Sequence, residues 1–240
     1  MRAASLIMLL MLAACGITAA DFSPEQANID TARAALRGGA PQIALQIIAS
    51  SLQRHPHDQA ALIVRGDALT AQGRYDEAQL AYRDVLRVNP ESPGALLGLG
   101  RIELASDPAA AESMFLAALR HDPRNASLLN DLGVARDLQH HHAAAQDAYH
   151  QALGLDPQST GAIVNLALSV AMTGHGDEAV RMLRPLASNP TASPKLRHDL
   201  AAALAMAGHR EEAAHILSAD LSPAEVRQAV AEYSSASVKP

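Results

Sequence analysis

The chain has 240 residues, of which 49% are hydrophobic but only 2% aromatic, and its formal net charge is −6 with no long basic run. The apolar content is chiefly Ala and Leu, both strong helix formers, and strand-like Val/Ile/Thr runs are missing, so an all-α protein of small, closely spaced helices is expected. Without clustered Lys/Arg or aromatic platforms no nucleic-acid partner is expected, and with Cys15 as the single cysteine the chain can form neither an internal disulfide nor a multi-thiolate metal site.

Residues 1–16 read MRAASLIMLLMLAACG. Arg2 supplies a positive start and Leu6 to Ala14 a short apolar core, too short to span a bilayer as a mature helix. A secretory signal over 1–14 fits this pattern. The end of it, Leu12-Ala13-Ala14-Cys15, resembles the bacterial lipobox, in which the cysteine thiol carries a diacylglyceryl group and becomes the mature N-terminus. That resemblance implies a lipid-anchored protein, held stably once further acyl chains are added, and Gly16 after the cysteine implies sorting to the outer membrane in a two-membrane bacterium. An ordinary signal peptide with an incidental cysteine is the alternative. Residues 15–24 then form the lipidated N-terminus and a short linker.

From residue 25 onward the chain repeats. Pro56, Pro90, Pro123, Pro157 and Pro190 are 34, 33, 34 and 33 residues apart, and proline belongs after a helix that it cannot continue. Gly66, Ala78, Tyr82 and Pro90 follow at intervals of 12, 4 and 8, and Gly133, Ala145, Tyr149 and Pro157 repeat those intervals. Gly100, Ala111, Phe115 and Pro123 run one residue short in the turn, and a leucine (Leu62, Leu96, Leu129) stands four residues before each glycine. These positions resemble the tetratricopeptide repeat, a helix–turn–helix of 34 residues. Small Ala32, Ala167 and Ala201 replace the glycine in the weaker units, and Leu replaces the aromatic residue common early in that repeat.

The expected fold is therefore an all-α tetratricopeptide-repeat superhelix, an α-solenoid of about six helix–turn–helix repeats over 25–221 with a C-terminal capping helix. The repeats are 25–58, 59–92, 93–125, 126–159, 160–193 and 194–221. Glycine and alanine are expected to bring paired helices close, while Tyr82, Phe115 and Tyr149 are expected to fill the groove towards the following repeat. In the closing region 222–240, Ser222 followed three residues later by Glu225 is a capping box that opens the final helix.

In such an array the first helix of each pair lines a binding surface. The candidates by position are Ile63, Leu97, Arg101, Asn130, Val134, Asp137, Val164, Leu168 and Met172, together with Asp67. This mixed strip suits an extended peptide or an amphipathic helix. Lysines that would join Asn130 and Asn165 in clamping an acidic chaperone tail are missing. No HExxH, GxSxG, P-loop or dinucleotide glycine pattern is present, so no catalytic residue, metal or cofactor is expected.

The run LQHHHAAAQ at 138–146 raises a metal question, but its place in the repeat answers it. The equivalent turns are AQGRYDEA at 71–78, MTGHGDEA at 172–179 and MAGHREEA at 206–213, so His140 stands where the others carry glycine and His141 aligns with Arg74, His175 and His209. Adjacent histidines in one turn are expected to diverge, which disfavours shared ligation; a pH-responsive edge is the remaining alternative.

Residues 125–233 are similar to the TadD family, the tetratricopeptide lipoproteins of Flp (tight adherence) pilus assembly. The phrases NDLGVARDLQHHHAAAQDAYHQALGLDP, MLRPLA and DLSPAEVRQAVAEY carry that resemblance. It implies a non-enzymatic scaffold on the periplasmic side of the outer membrane, with proteins of the pilus secretion complex as partners and the secretin channel as a candidate among them. A tetratricopeptide lipoprotein serving another pilus, outer-membrane protein assembly or peptidoglycan enzymes is the alternative. A fatty-acid probe fed to cells should label the wild-type chain and leave Cys15→Ala unlabelled; equal labelling would refute the lipid anchor.

Overall fold

The structure is a computed structural model that describes residues 24–236 apart from Pro190. The proposed signal peptide, Cys15 and most of the linker lie outside the described residues. Those residues form thirteen helices and divide into two compact units, one ending at Asp84 and the other beginning at Val85.

The first unit holds α1 (Pro24–Arg37), α2 (Pro41–Arg54), α3 (Gln59–Ala71) and most of α4 (Tyr75–Val88). Local chemistry sets the helix ends. Asp58 accepts from the backbone N–H groups of Ala60 and Ala61 and so caps α3, and Pro41 opens α2 with a φ already suited to a helix. The core is a cluster of Ile29, Ala32, Ala44, Ile48, Ala61, Val64 and Ala68.

The second unit continues with α5 (Pro93–Glu103), α6 (Pro108–His121), α7 (Ala126–Leu138), α8 (His142–Leu155), α9 (Thr160–Met172), α10 (Gly176–Ala187), α11 (Pro194–Met206), α12 (Arg210–Leu217) and α13 (Pro223–Ala236). Within this unit successive helices pair in antiparallel fashion, and α7, α9 and α11 also pack on the second helix of the preceding pair. Asp107, Asn125 and Ser193 cap α6, α7 and α11 through side-chain oxygens. Ion pairs link neighbouring pairs across their outer parts. Arg136 and Gln139 of the α7 pair bond Glu112 on α6 at 2.8 Å each, and Arg184 on α10 meets Glu212 on α12 at 2.6 Å. Burial alone would raise the Glu112 pKa, but the bonds from Arg136 and Gln139 outweigh it and hold the carboxyl below its ordinary value.

The contact that sets the distance between paired helices is an aromatic ring on a glycine. A methyl placed on Gly66 would stand 2.5 Å from the Tyr82 ring, and one on Gly100 would stand 2.6 Å from Phe115; at Gly133 the Tyr149 ring lies as close. Tyr82, Phe115 and Tyr149 are at most 1% exposed. The rings were expected to fill the groove towards the following repeat. They also reach it, Phe115 clustering with Leu128 and Leu132 and Tyr149 with Leu166 and Val170, but each ring stands closest to the glycine of its own pair. Where the glycine is replaced by alanine, the ring is replaced too: Ala32 faces the register of Ile48, Ala167 that of Leu183, and Ala201 that of Leu217, all buried. A methyl is added on one helix where ring bulk is removed from the other, so the interhelical volume is conserved.

The stack closes with α13. The Ser222 N–H donates to Glu225 at 2.8 Å, half of the capping box, and the Ser222 hydroxyl, then this N–H, hold the Glu225 carboxyl below its ordinary pKa. Val226, with Ala229, Val230 and Tyr233, then covers the cluster built from Leu200, Leu204 and Leu217. Among the described residues no helix is long and apolar enough to cross a membrane.

Replacing Gly133 by Leu forces its side chain into the Tyr149 ring and should destabilise the second unit by about 1–3 kcal/mol. Gly154 lies in α8 with open space around it, so Gly154→Ala should be neutral or stabilising by up to about 1 kcal/mol. Urea unfolding of the two variants checks both signs; a Gly133→Leu chain as stable as the parent would mean the ring does not seat there.

Candidate functional site

In the second unit the first helices α5, α7, α9 and α11 lie side by side, and a row of polar side chains links three of them. Arg101 on α5 donates to Asp131 on α7 at 2.6 Å and to Ser127 at 2.8 Å. Asn165 on α9 donates to the amide oxygen of Asn130 on α7 at 2.9 Å. One turn further along, Ser169 on α9 donates to Asp137 on α7 at 2.8 Å. These bonds join equivalent helices of successive pairs, so they fix the register in which the pairs stack.

Asp137 is the centre of the row. Besides Ser169, its carboxylate accepts from the Tyr149 hydroxyl at 3.0 Å and lies 2.8 Å from His142 Nδ1. Its side chain is only 14% exposed, and a carboxylate that enclosed requires these partners. Burial, then the Asp137 charge, raises the Tyr149 pKa far above its ordinary value, so the phenol remains a donor. Serine, histidine and aspartate meet here, but the serine donates to the carboxylate rather than to the imidazole. Ser169 is fully buried and bonds the carboxylate directly, so the three residues do not form a serine–histidine–aspartate relay. The cluster is a structural joint between α7, α8 and α9.

The predicted surface residues separate into distinct roles. Arg101, Asn130 and Asp137 belong to the polar row. Leu97 packs partly against the cluster around Phe115, Val134 against that around Tyr149, and Leu168 against that around Leu200. Met172 is half-buried at the end of α9. Ile63 is half-buried on α3 in the first unit, where Asp67 accepts from the Tyr82 hydroxyl at 2.7 Å. Val164 is a correction. It is 6% exposed and packs with Leu200, Ala201 and Leu204, because the following helix pair covers it.

Leu138, absent from the sequence-based set, is 50% exposed at the last residue of α7. It shares its register with Met172 and Met206, the last residues of α9 and α11. The 34-residue spacing of 138, 172 and 206 was the signal that could have found it. Unbranched and branched apolar side chains thus line up beside a polar row whose members already bond one another. Of these side chains methionine is the most adaptable in shape.

The histidine turn has a clear architecture. His140 has φ 61°, in the left-handed region that Gly73, Gly174 and Gly208 occupy in the equivalent turns at 72°, 90° and 89°. The side chains were expected to diverge. That expectation concerned neighbours in sequence; His140 and His142, two residues apart, meet edge to face with ring centroids 5.9 Å apart. His142 points inward to Asp137, and among the described residues no three His, Cys, Asp or Glu side chains gather to hold a metal. In the turns of the last two repeats, His209 Nε2 lies 2.8 Å from Asp177.

Tyr149→Phe removes one bond of the joint and should cost about 1 kcal/mol, whereas Asp137→Ala strands the Tyr149 and Ser169 hydroxyls and should cost about 2–4 kcal/mol. The double variant should lose less than the sum, by about 0.5 kcal/mol or more, as residues sharing one network do. Strict additivity in urea unfolding would contradict the shared carboxylate.

The comparisons with known proteins agree with this architecture. The structure resembles PilW, described as a widely conserved type IV pilus biogenesis factor, with TM-score 0.72 at 21% identity over 87% of this chain and 99% of that one. It also resembles a tetratricopeptide repeat protein from Parabacteroides merdae (TM-score 0.65, 18% identity, 88% and 86% covered) and MamA from Desulfovibrio magneticus (TM-score 0.55, 22% identity, 67% and 92% covered). At these identities the likeness is one of fold. No curated protein matches the sequence. Residues 29–79, 65–107 and 105–160 match the tetratricopeptide repeat family, together more than half of the chain. The chain belongs to the tetratricopeptide repeat family.

Proposed function

We propose that this tetratricopeptide protein-interaction scaffold is an outer-membrane lipoprotein, anchored through Cys15 on the periplasmic side, that supports assembly of a Flp/Tad-type pilus secretion machine. The observation that carries the binding role is the row Leu138, Met172 and Met206 at one register on three neighbouring helices. Its apolar side chains stand beside a polar row that is internally bonded and needs nothing from a partner. A surface of that kind gains affinity by burying apolar area and loses little by displacing polar contacts.

Three observations support the pilus assignment. Residues 125–233 resemble the TadD family, the N-terminal LAAC at 12–15 resembles a lipobox, and the fold is like that of a pilus biogenesis factor. The last is an analogy of fold and carries less weight than the first two. The protein's role in this reading is to hold a subunit of the machine, with the secretin as the leading candidate, while the lipid keeps the complex at the membrane. A photo-crosslinking residue placed at Leu138 in intact cell envelopes should capture a component of the pilus secretion complex. Capture of outer-membrane assembly factors or peptidoglycan enzymes instead would assign the protein to a different machine.

A further inference from the structure

The last described helix has no second helix beside it among the described residues. α13 packs on α11 and α12 in the way that α11 packs on α9 and α10, but α11 has α12 as its partner and no described helix follows α13. Between α12 and α13 lies an open cleft of about 380 Å³, lined by Arg210, Ala214, Val226, Arg227, Val230 and Ala231. On α12, Arg210 and Ala214 form one ridge at i, i+4; on α13, Val226 and Val230 form a second and Arg227 and Ala231 a third. The floor is apolar, with Val226 buried and Ala214 and Val230 half-buried.

The rim is cationic. The guanidinium groups of Arg210 and Arg227 are exposed and make no hydrogen bond or ion pair with another described residue. The nearby acids are engaged elsewhere or lie off the cleft. Glu225 accepts from the Ser222 N–H, Glu232 accepts from Gln228, and Glu212 is paired with Arg184. Glu211 stands in the first turn of α12 and does not line the cleft.

The geometry points to this cleft as the seat of an acidic amphipathic helix from another protein. Its aliphatic ridge lies along Ala214, Val226 and Val230, and its flanking Asp or Glu side chains meet Arg210 and Arg227. A helix fits because the cleft runs between two helices and because that place is where the second helix of a further pair would stand. The flanks are acidic because two uncommitted guanidiniums border an apolar floor, and Arg forks bind carboxylates through two parallel bonds. A second copy docking by the same end would instead set one cationic rim against another, since a two-fold contact uses the same patch on both subunits. The inference rests on the scaffold reading, but on neither the pilus assignment nor the Leu138–Met172–Met206 row.

The test uses two fluorescein-labelled helical peptides with the same leucine ridge, one flanked by Glu at i, i+4 spacing and one by Lys. Fluorescence anisotropy against the chain from Ala20 to Pro240 should show the Glu peptide binding at least tenfold more tightly than the Lys peptide. The double variant Arg210→Glu/Arg227→Glu, with an unchanged circular dichroism spectrum, should reverse that preference. Leu138→Asp should leave both affinities unchanged, which separates this cleft from the other surface. Equal binding of the two peptides, no binding of the Glu peptide, or an unaltered preference in the double variant would overturn the proposal. So would a concentration-dependent dimer in sedimentation velocity that the double variant abolishes.

Discussion

The distance between the two helices of a pair rests on one steric condition: a side chain of the second helix must find room on the backbone of the first. In the central pairs a tyrosine or phenylalanine ring lies directly on a glycine. In the outer pairs an isoleucine or leucine faces an alanine. Interiors are packed as densely as organic crystals, so the two solutions are not mixable without a clash or a void. The aromatic solution adds a polar handle, since a tyrosine hydroxyl passes the ring and reaches an aspartate of the first helix. Tyr82 does so with Asp67 and Tyr149 with Asp137.

That handle connects packing within a pair to stacking between pairs. Asp137, oriented by Tyr149 and His142, receives the hydroxyl of Ser169 from the following first helix. Asn130–Asn165 and Arg101–Asp131 act in parallel on the same face. A network with every member bonded rigidifies a structure, whereas one with an orphaned group weakens it. The polar residues of this face therefore serve the stack first. The side chains of this face that take no part in those bonds are apolar ones at the helix ends, Leu138, Met172 and Met206.

The repeat architecture was legible in the sequence because its punctuation is chemical: proline after the second helix, glycine in the turn, small residues at close approach. His140 was legible as a substitute for glycine on the same grounds, and its φ of 61° agrees. Other features were not. Spacing shows that Tyr149 and Gly133 belong to one unit but not which way a ring turns, so the stacking of ring on glycine went unread. Val164 shares its register with Asn130, yet the following pair covers the valine and leaves the asparagine half-buried. Leu138 adjoins the histidine run and was read as part of the turn, although it completes a row with Met172 and Met206. The inward turn of His142 depends on a carboxylate five residues away and on a left-handed residue before it, a coupling that no single position announces.

The complementarity of glycine with aromatic rings, and of alanine with aliphatic chains, limits how such arrays can be shuffled. A crossover in the loop between pairs, such as the segment from Leu155 to Thr160, transfers both halves of each contact together. One in the turn within a pair separates them. Joining α9 to the helix that carries Tyr149 would set a ring against the methyl of Ala167, and joining α7 to the helix that carries Leu183 would leave Gly133 facing an unfilled space. The unit of inheritance in this chain, and the unit for building chimeras from it, is the intact helix pair rather than the single helix.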